Sequence, residues 1–232
     1  MTVSVIIPFR CRGTDPLRSH NLTRVLQQWS SFGAEIIVAS DDGQGKDQFN
    51  RHRAYNRGTK QASGDTLIYA ESDMLIRFTQ IDEAITLAEK QPRLVVPFTE
   101  RHELNAEDSE LVRAYNANPE LFKADIIKPK PRRIGAINVL TKQALDMVGG
   151  WDETFTGCWW DDRSMHHAFD ICTNPTIWVD GPSWHLWHLP GYQGKHLTGA
   201  DKLATERNKR RYRLYAQAKT AEQIRALTAG AS

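Results

Sequence analysis

The chain has 232 residues, 40% hydrophobic and 25% charged, a length and balance that suit one large globular domain rather than a disordered or fibrous chain. Its formal net charge of +2 is too small to argue for nucleic acid or a membrane surface as a partner. Three cysteines (Cys11, Cys158, Cys172) form neither an even set nor a close metal spacing, so a reduced, cytoplasmic chain is expected.

Met1 leads straight into "TVSVIIPF" without a basic leader or a long apolar run, so neither a signal peptide nor a membrane span is predicted. Val3–Pro8 is a β-branched run closed by proline and reads as a buried strand. Arg18–Phe32 sets Leu22, Val25, Leu26 and Trp29 at helical spacing, with Gly33 as the stop. Glu35–Ala39 is a second strand, followed by turn-rich Ser40–Lys46. Asp47–Gln61 reads as a helix, and a third strand, Leu67–Ala70, runs into Glu71-Ser72-Asp73. Thr79 is placed to cap a helix through Lys90, and Leu94–Phe98 is a fourth strand. This alternation predicts an α/β fold with a mostly parallel, Rossmann-like sheet covered by helices.

The second half is less regular. Asn105–Asn118 reads as a polar helix, Lys128–Arg133 as an extended connector and Ile134–Leu140 as a strand. Thr141–Val148 is a short helix ending at Gly149-Gly150. Leu189–Gly199 reads as a glycine-rich loop able to close over a ligand, and Asp201–Lys219 as a basic helix. The predicted organisation is a domain over 1–199, nucleotide-binding over 1–100 and acceptor- and metal-binding over 101–199, with a helical tail over 200–232 packed on it.

Ligands of such sheets gather at the carboxyl ends of strands. Pro8-Phe9-Arg10, Asp41-Asp42 and Glu71-Ser72-Asp73 all fall there and together outline one site. Carboxylates two apart at the end of a buried strand need compensation, and a divalent cation supplies it by taking carboxylate oxygen and bridging to phosphate.

The segments "VIIPFRCR", "FNRHRAYNRG", "LIYAESDMLI", "RIGAINVLTKQALDMVGGWDETFTGCWWDD" and "WHLWH" follow one another as in β-1,4-galactosyltransferase-like enzymes, and the chain resembles that family from about Val3 to His188. The resemblance implies a GT-A fold and a metal-dependent glycosyltransferase using a UDP-sugar. It implies that Pro8, Phe9, Arg10, Arg12, Phe49 and Arg51 line the nucleotide pocket, with Ser72 among the donor-binding residues and Glu71 either near the ribose or behind the metal ligands. Asp73 and His188 would ligate the metal, and His185 stands where the family has another ligand. Gly135 and Ala136 would let the sugar approach the backbone. Asp161-Asp162 looks like the acidic pair of the acceptor site, with Asp162 as general base.

Elementary chemistry agrees with these roles. Arg10, Arg12 and Arg51 can fork to phosphate oxygens, and Phe9 and Phe49 offer flat faces to a uracil. A mixed carboxylate–imidazole set suits Mn²⁺ better than Mg²⁺ or Ca²⁺. Trp151, Trp159 and Trp160 beside the acids suit a sugar-binding wall, Trp160 on the donor side, while one or two of the three belong to the core.

Plainer readings stand beside each role. Asp161-Asp162 also suits a helix N-terminus. If the segment is extended, residues three apart point to opposite faces, which favours His188 as the one imidazole ligand unless the backbone turns there. His166 and His167 read as structural or acceptor-side. Asp41 and Asp42 either hold the uracil edge or shape a turn. The basic run Lys202–Arg213 reads as a solvated face, with nucleic acid the weaker alternative.

The chain departs from the family at Trp159-Trp160, where a glycine pair is usual, at Asp161 in place of glutamate, and at Glu71 in place of aspartate. The acceptor therefore does not transfer, and galactose, N-acetylgalactosamine, glucose and xylose all remain open as donor sugars. Protein, glycan, lipid, small-molecule and modified nucleic acid acceptors are equally open. The expected activity is hexosyl transfer from UDP-sugar to a hydroxyl, with inversion. A nucleotidyltransferase and a non-catalytic nucleotide-sugar or carbohydrate-binding module are the alternatives.

Overall fold

The computed structural model describes residues 2–13, 15–128, 134–190 and 198–230. Most of the expected connector at 128–133 and of the glycine-rich loop at 189–199 lies outside them.

The core is a six-stranded sheet in the order β2-β1-β3-β8-β5-β9. Strands β1 (Val3–Pro8), β2 (Glu35–Ala39) and β3 (Thr66–Ala70) are mutually parallel, and β5 (Arg93–Val96) runs parallel to β9 (Asn174–Trp178). Between the two groups β8 (Ile137–Thr141) is antiparallel to both neighbours. The expected alternation therefore holds for three strands, and the fourth in chain order is displaced by one from the second half. Each buried run is readable as a strand, but nothing local says which strands become neighbours. Val5, Ile6, Ile7, Leu67, Ile68 and Tyr69 are fully buried, as a sheet covered on both faces requires.

Helices α1 (Leu17–Trp29), α2 (Arg51–Gln61) and α3 (Phe78–Lys90) follow the expected periodicity with shifted ends. Helix α2 starts four residues later than expected, because the Asn50 side chain caps it by accepting from Arg53 N at 2.9 Å. Thr79 is not the cap of α3. The cap position is Arg77, whose side chain makes no capping bond. Helix α4 (Ala106–Tyr115) is shorter than expected and stops at Asn116 in the left-handed conformation. Thr141 caps α5 (Lys142–Val148), and Gly149 ends it at φ +88°.

A second, four-stranded sheet was not foreseen. Its order is β4-β10-β6-β7, with β4 (Met74–Ile76), β6 (Glu100–Glu103), β7 (Asp125–Ile127) and β10 (Pro182–His185). All four of these strands have only three or four residues, too short for periodicity to register. Helix α6 (Asp161–Cys172) packs against α7 (Gly199–Gln217), and α8 (Ala221–Ala229) packs against α5 and α6. Tyr215 on α7 is fully buried, and its hydroxyl donates to Asp152 at 2.8 Å. Among the described residues, no helix is long and apolar enough to cross a membrane.

Candidate active site

The end of β3 and the small sheet bring one carboxylate and two imidazoles together. Asp73 follows β3 and precedes β4. Strand β10 pairs antiparallel with β4 in the register His185 opposite Met74, and Leu186 N donates to Asp73 O at 2.9 Å. The chain then leaves the extended conformation. Asn21 Nδ2 holds the carbonyls of Leu186 and Trp187, Ser109 Oγ accepts from Trp187 N, and Asp15 accepts from Leu189 N at 2.7 Å. This turn brings His188 back beside His185, which is the condition under which the sequence reading admits both histidines at the carboxylate. Their Nε2 atoms stand 3.2 Å apart. His188 Nε2 lies 3.1 Å from Asp73 Oδ2, and His185 Nε2 lies 3.9 Å from Asp73 Oδ1.

The far nitrogen of each imidazole is already spoken for. His185 Nδ1 lies 2.5 Å from Glu103 Oε2, and His188 Nδ1 lies 2.7 Å from the Leu189 carbonyl. A carboxylate or carbonyl accepts the hydrogen bond from each Nδ1–H, so a cation that displaced the proton through which His188 Nε2 hydrogen-bonds Asp73 would meet both Nε2 lone pairs beside that carboxylate. Two lone pairs at that distance repel unless a cation or proton lies between them. Asp73 Oδ1 is also buried without a hydrogen-bond partner among the described residues. These three groups could hold a metal ion, and their donor atoms all lie within 4.8 Å of one another. The orphaned oxygen, the directed lone pairs and the mixed N/O donor set fit a borderline divalent cation such as Mn²⁺.

Electrostatics at this cluster favour the charged carboxylate. Burial pushes Asp73 upward, but the hydrogen bond with His188 and the charges of His185, His188 and Arg18 outweigh it and hold the carboxyl well below the usual range. Burial lowers the His185 pKa, and Glu103 and Asp73 more than reverse this, leaving it raised. Sequence reasoning missed Glu103 and Arg18. Glu103 lies opposite His185 in the parallel pairing of β6 with β10, and Arg18 Nη1 lies 3.8 Å from Asp73 Oδ2. Only the pairing of two short strands reveals Glu103, whereas Arg18 sits in the first turn of a predictable helix.

A second acidic group lies alongside. Arg51, at the start of α2, makes ion pairs with Glu71, Asp161 and Asp162 together, the last at 2.8 Å. Asp162 points at Gly135, where a Cβ would stand 2.7 Å from its Oδ2. Gly135 therefore makes room for the carboxylate of Asp162, a tighter reason for glycine than access by a sugar. Ala136 next to it has φ +59°, and its carbonyl accepts from Glu71 N at 2.8 Å. The two aspartates separate electrostatically. Asp161 is raised by burial but held low overall by Arg51 and His52. Asp162, with no comparable partner set, is pushed by burial up to about 8, with Asp161 and Glu71 adding to the shift and Arg51 opposing it. Over a third of its side chain still faces solvent, so it can meet a substrate.

The expected phosphate forks look different in place. Arg10 spends its guanidinium on Asp41 and on the carbonyls of Gly45, Asp47 and Gln48. Its Cζ stands 5.9 Å from the Phe49 ring centroid. Asp41 accepts from Arg10, Asn50 N and Gly43 N, so it shapes the turn. Arg51 is committed to three carboxylates. Arg12 donates to Lys46 O at 2.8 Å, yet its buried Nε has no partner among the described residues. As arranged, Arg10 and Arg51 organise the rim and Arg12 retains a donor. Pro8 closes β1, Phe9 N donates to Ala39 O at 2.9 Å, and Ser72 is buried between the two acids.

The tryptophans divide. Trp151 is core, packed against His52, Tyr55, Tyr69 and Phe169. Trp159 is 54% exposed, and Trp160 stacks on Tyr212 of α7 with centroids 5.1 Å apart. Both Trp159 and Trp160 have positive φ, +74° and +76°, where the family's glycines would sit without strain.

No protein-family model matches the chain, and no curated protein matches it. Among solved structures it is similar to the catalytic domain of Drosophila β1,4-galactosyltransferase 7 in complex with xylobiose, at TM-score 0.55 and 13% identity over 95% of this chain and 83% of that one. It is also similar to a substituted form of that enzyme in complex with manganese, UDP-Gal and xylobiose, at TM-score 0.54 and 12% identity over 88% and 79% of the two chains. The likeness establishes the fold, which is the GT-A type expected from the sequence.

Proposed function

We propose that this chain is a metal-dependent glycosyltransferase that moves a hexose from a UDP-sugar to an acceptor hydroxyl. The observation that carries the reading is the Asp73–His185–His188 cluster beside a paired-acid site on a GT-A fold. The fly enzyme of the same fold, captured with manganese, UDP-Gal and xylobiose, supports the choice of metal and donor class. Galactose, N-acetylgalactosamine and glucose are all compatible with the site.

Asp73, His185 and His188 would hold the ion. When bound, a divalent cation supplies positive charge to the departing diphosphate. Glu103 and the Leu189 carbonyl keep both imidazoles in the tautomer that presents Nε2. Arg10 and Asp41 fix the loop that carries Phe49, and the Arg12 Nε offers a donor to the nucleotide. Asp162, raised toward neutrality, takes the acceptor proton, while Asp161 stays ionised and anchored by Arg51 and His52. A base separate from the leaving-group side makes inversion the expected stereochemical outcome.

The test is UDP release from UDP-Gal, UDP-GalNAc and UDP-Glc with and without Mn²⁺. Wild-type protein is expected to release UDP only with metal, and Asp73→Ala to lose the metal dependence with the activity. Asp162→Asn is expected to keep UDP binding and lose transfer. Transfer at the native rate by Asp162→Asn would remove Asp162 from the mechanism.

A further inference from the structure

The groove between α6 and α7 has a charge pattern that the proposed chemistry does not use. Over the Trp160 ring, Arg163 Cζ lies 5.0 Å from the centroid and Lys209 Nζ 5.9 Å, while Tyr212 packs against the same ring. Among the described residues no carboxylate forms an ion pair with either cation. Each gains from the indole face, but two like charges on one ring repel. The neighbouring cleft, of about 310 Å³, is lined by Arg163, His166, His167, Asp170 and Tyr212. Its one carboxylate is engaged: Asp170 accepts from Thr176 N at 2.8 Å and lies 3.3 Å from His166 Nε2. His167 Nε2 is 3.1 Å from the Ala218 carbonyl. Asp170 keeps its charge, so the positive excess comes from Arg163 and Lys209 taken together, two cations against one carboxylate.

The cleft also has a position relative to the base. His166 is four residues beyond Asp162 on α6, so it lies one turn along the same helix face, about 6 Å away along the axis. That is the span of a single sugar unit. Helix α7 continues the positive character with Lys202, Arg207, Arg210 and Arg213 exposed on its surface.

We propose that the Trp160–Arg163–Lys209 cluster and the adjoining cleft form an acceptor subsite for an anionic group, a phosphate ester or a carboxylate, carried close to the reacting hydroxyl. This rests on the transferase reading and narrows it: the acceptor is an acidic molecule, not a neutral glycan. The indole seats the two cations, which hold the charge, and Tyr212, which lines the cleft, offers its aromatic surface to the sugar.

The test measures binding in the absence of donor, so that it stands apart from the transferase reaction. Dissociation constants for glucose 6-phosphate, glucuronic acid and glucose are obtained by NMR titration of wild-type protein, of Arg163→Glu/Lys209→Glu, and of Arg163→Lys/Lys209→Arg, each checked for native near-UV dichroism. Wild type is expected to prefer at least one acidic sugar over glucose by about tenfold or more, the scale of one charge-assisted contact. Which of the two acids is preferred identifies the ester or the carboxylate as the group held. The charge reversal is expected to abolish the preference and the charge-conserving pair to retain it. Equal binding of all three sugars, a preference that survives charge reversal, or its loss in the charge-conserving pair would each overturn the subsite. Failure of wild type to release UDP from any donor would overturn the transferase reading alone, and the binding comparison would still decide the subsite.

Discussion

Glu103 directs one of the two histidines beside Asp73. Its carboxylate fixes the proton of His185 on Nδ1, so the lone pair on Nε2 has one direction to point. Glu103→Gln keeps the size and loses the charge, and the expected result is a Mn²⁺ affinity weaker by about 10–100-fold, read by calorimetry, with thermal stability little changed. Gly135 has a different constraint, a φ of +124° with the Asp162 carboxylate against its face. Gly135→Ala is expected to cost about 1–3 kcal/mol in denaturant unfolding and to displace Asp162, lowering kcat more than it raises the KM for donor. Arg51 pairs with three carboxylates at once. Removing one partner of a buried ion network leaves charge uncompensated, so Arg51→Met is expected to destabilise the fold by about 3–5 kcal/mol.

At the level of elements, the site depends on where two strands end. Helix α6 begins at Asp161, and its first turn carries an acid whose pKa burial raises to about 8. A base must be ionised to accept a proton, so kcat/KM is expected to rise with pH and level off above about 8, and to fall tenfold per pH unit well below it. Metal binding follows the other group: protons compete for His185, whose pKa is raised, so Mn²⁺ affinity is expected to fall as pH drops through the upper histidine range. The longer elements were legible because their periodicity spans enough residues, as in Val3–Pro8 or the helix over 78–90. The carboxyl-end clusters at Pro8, Asp41 and Asp73 were legible for the same reason. The small sheet was not, because β4 and β10 have three and four residues and their pairing joins Met74 to His185 across the chain. That pairing, with the turn after it, sets His185 and His188 beside one another, whereas "WHLWH" by itself leaves strand and turn both open.

Across the whole molecule, the fold was readable as α/β and the neighbour order was not, since β8 enters antiparallel between β3 and β5 from a distant part of the sequence. That insertion is what sets Gly135 and Ala136 beside Glu71 and so brings the acidic pair to the end of β3. A cation that binds only the folded state stabilises it by mass action, about 2.7 kcal/mol at a hundredfold excess over its dissociation constant. A rise in thermal midpoint with Mn²⁺, absent in Asp73→Ala, is therefore expected. The ligand set itself can be seen by pulsed electron paramagnetic resonance of the Mn²⁺-loaded protein. Couplings to two imidazole nitrogens are expected, falling to one in His185→Ala and in His188→Ala. A manganese signal with no nitrogen coupling would mean that the ion sits elsewhere and that the carboxylate and histidines have another purpose.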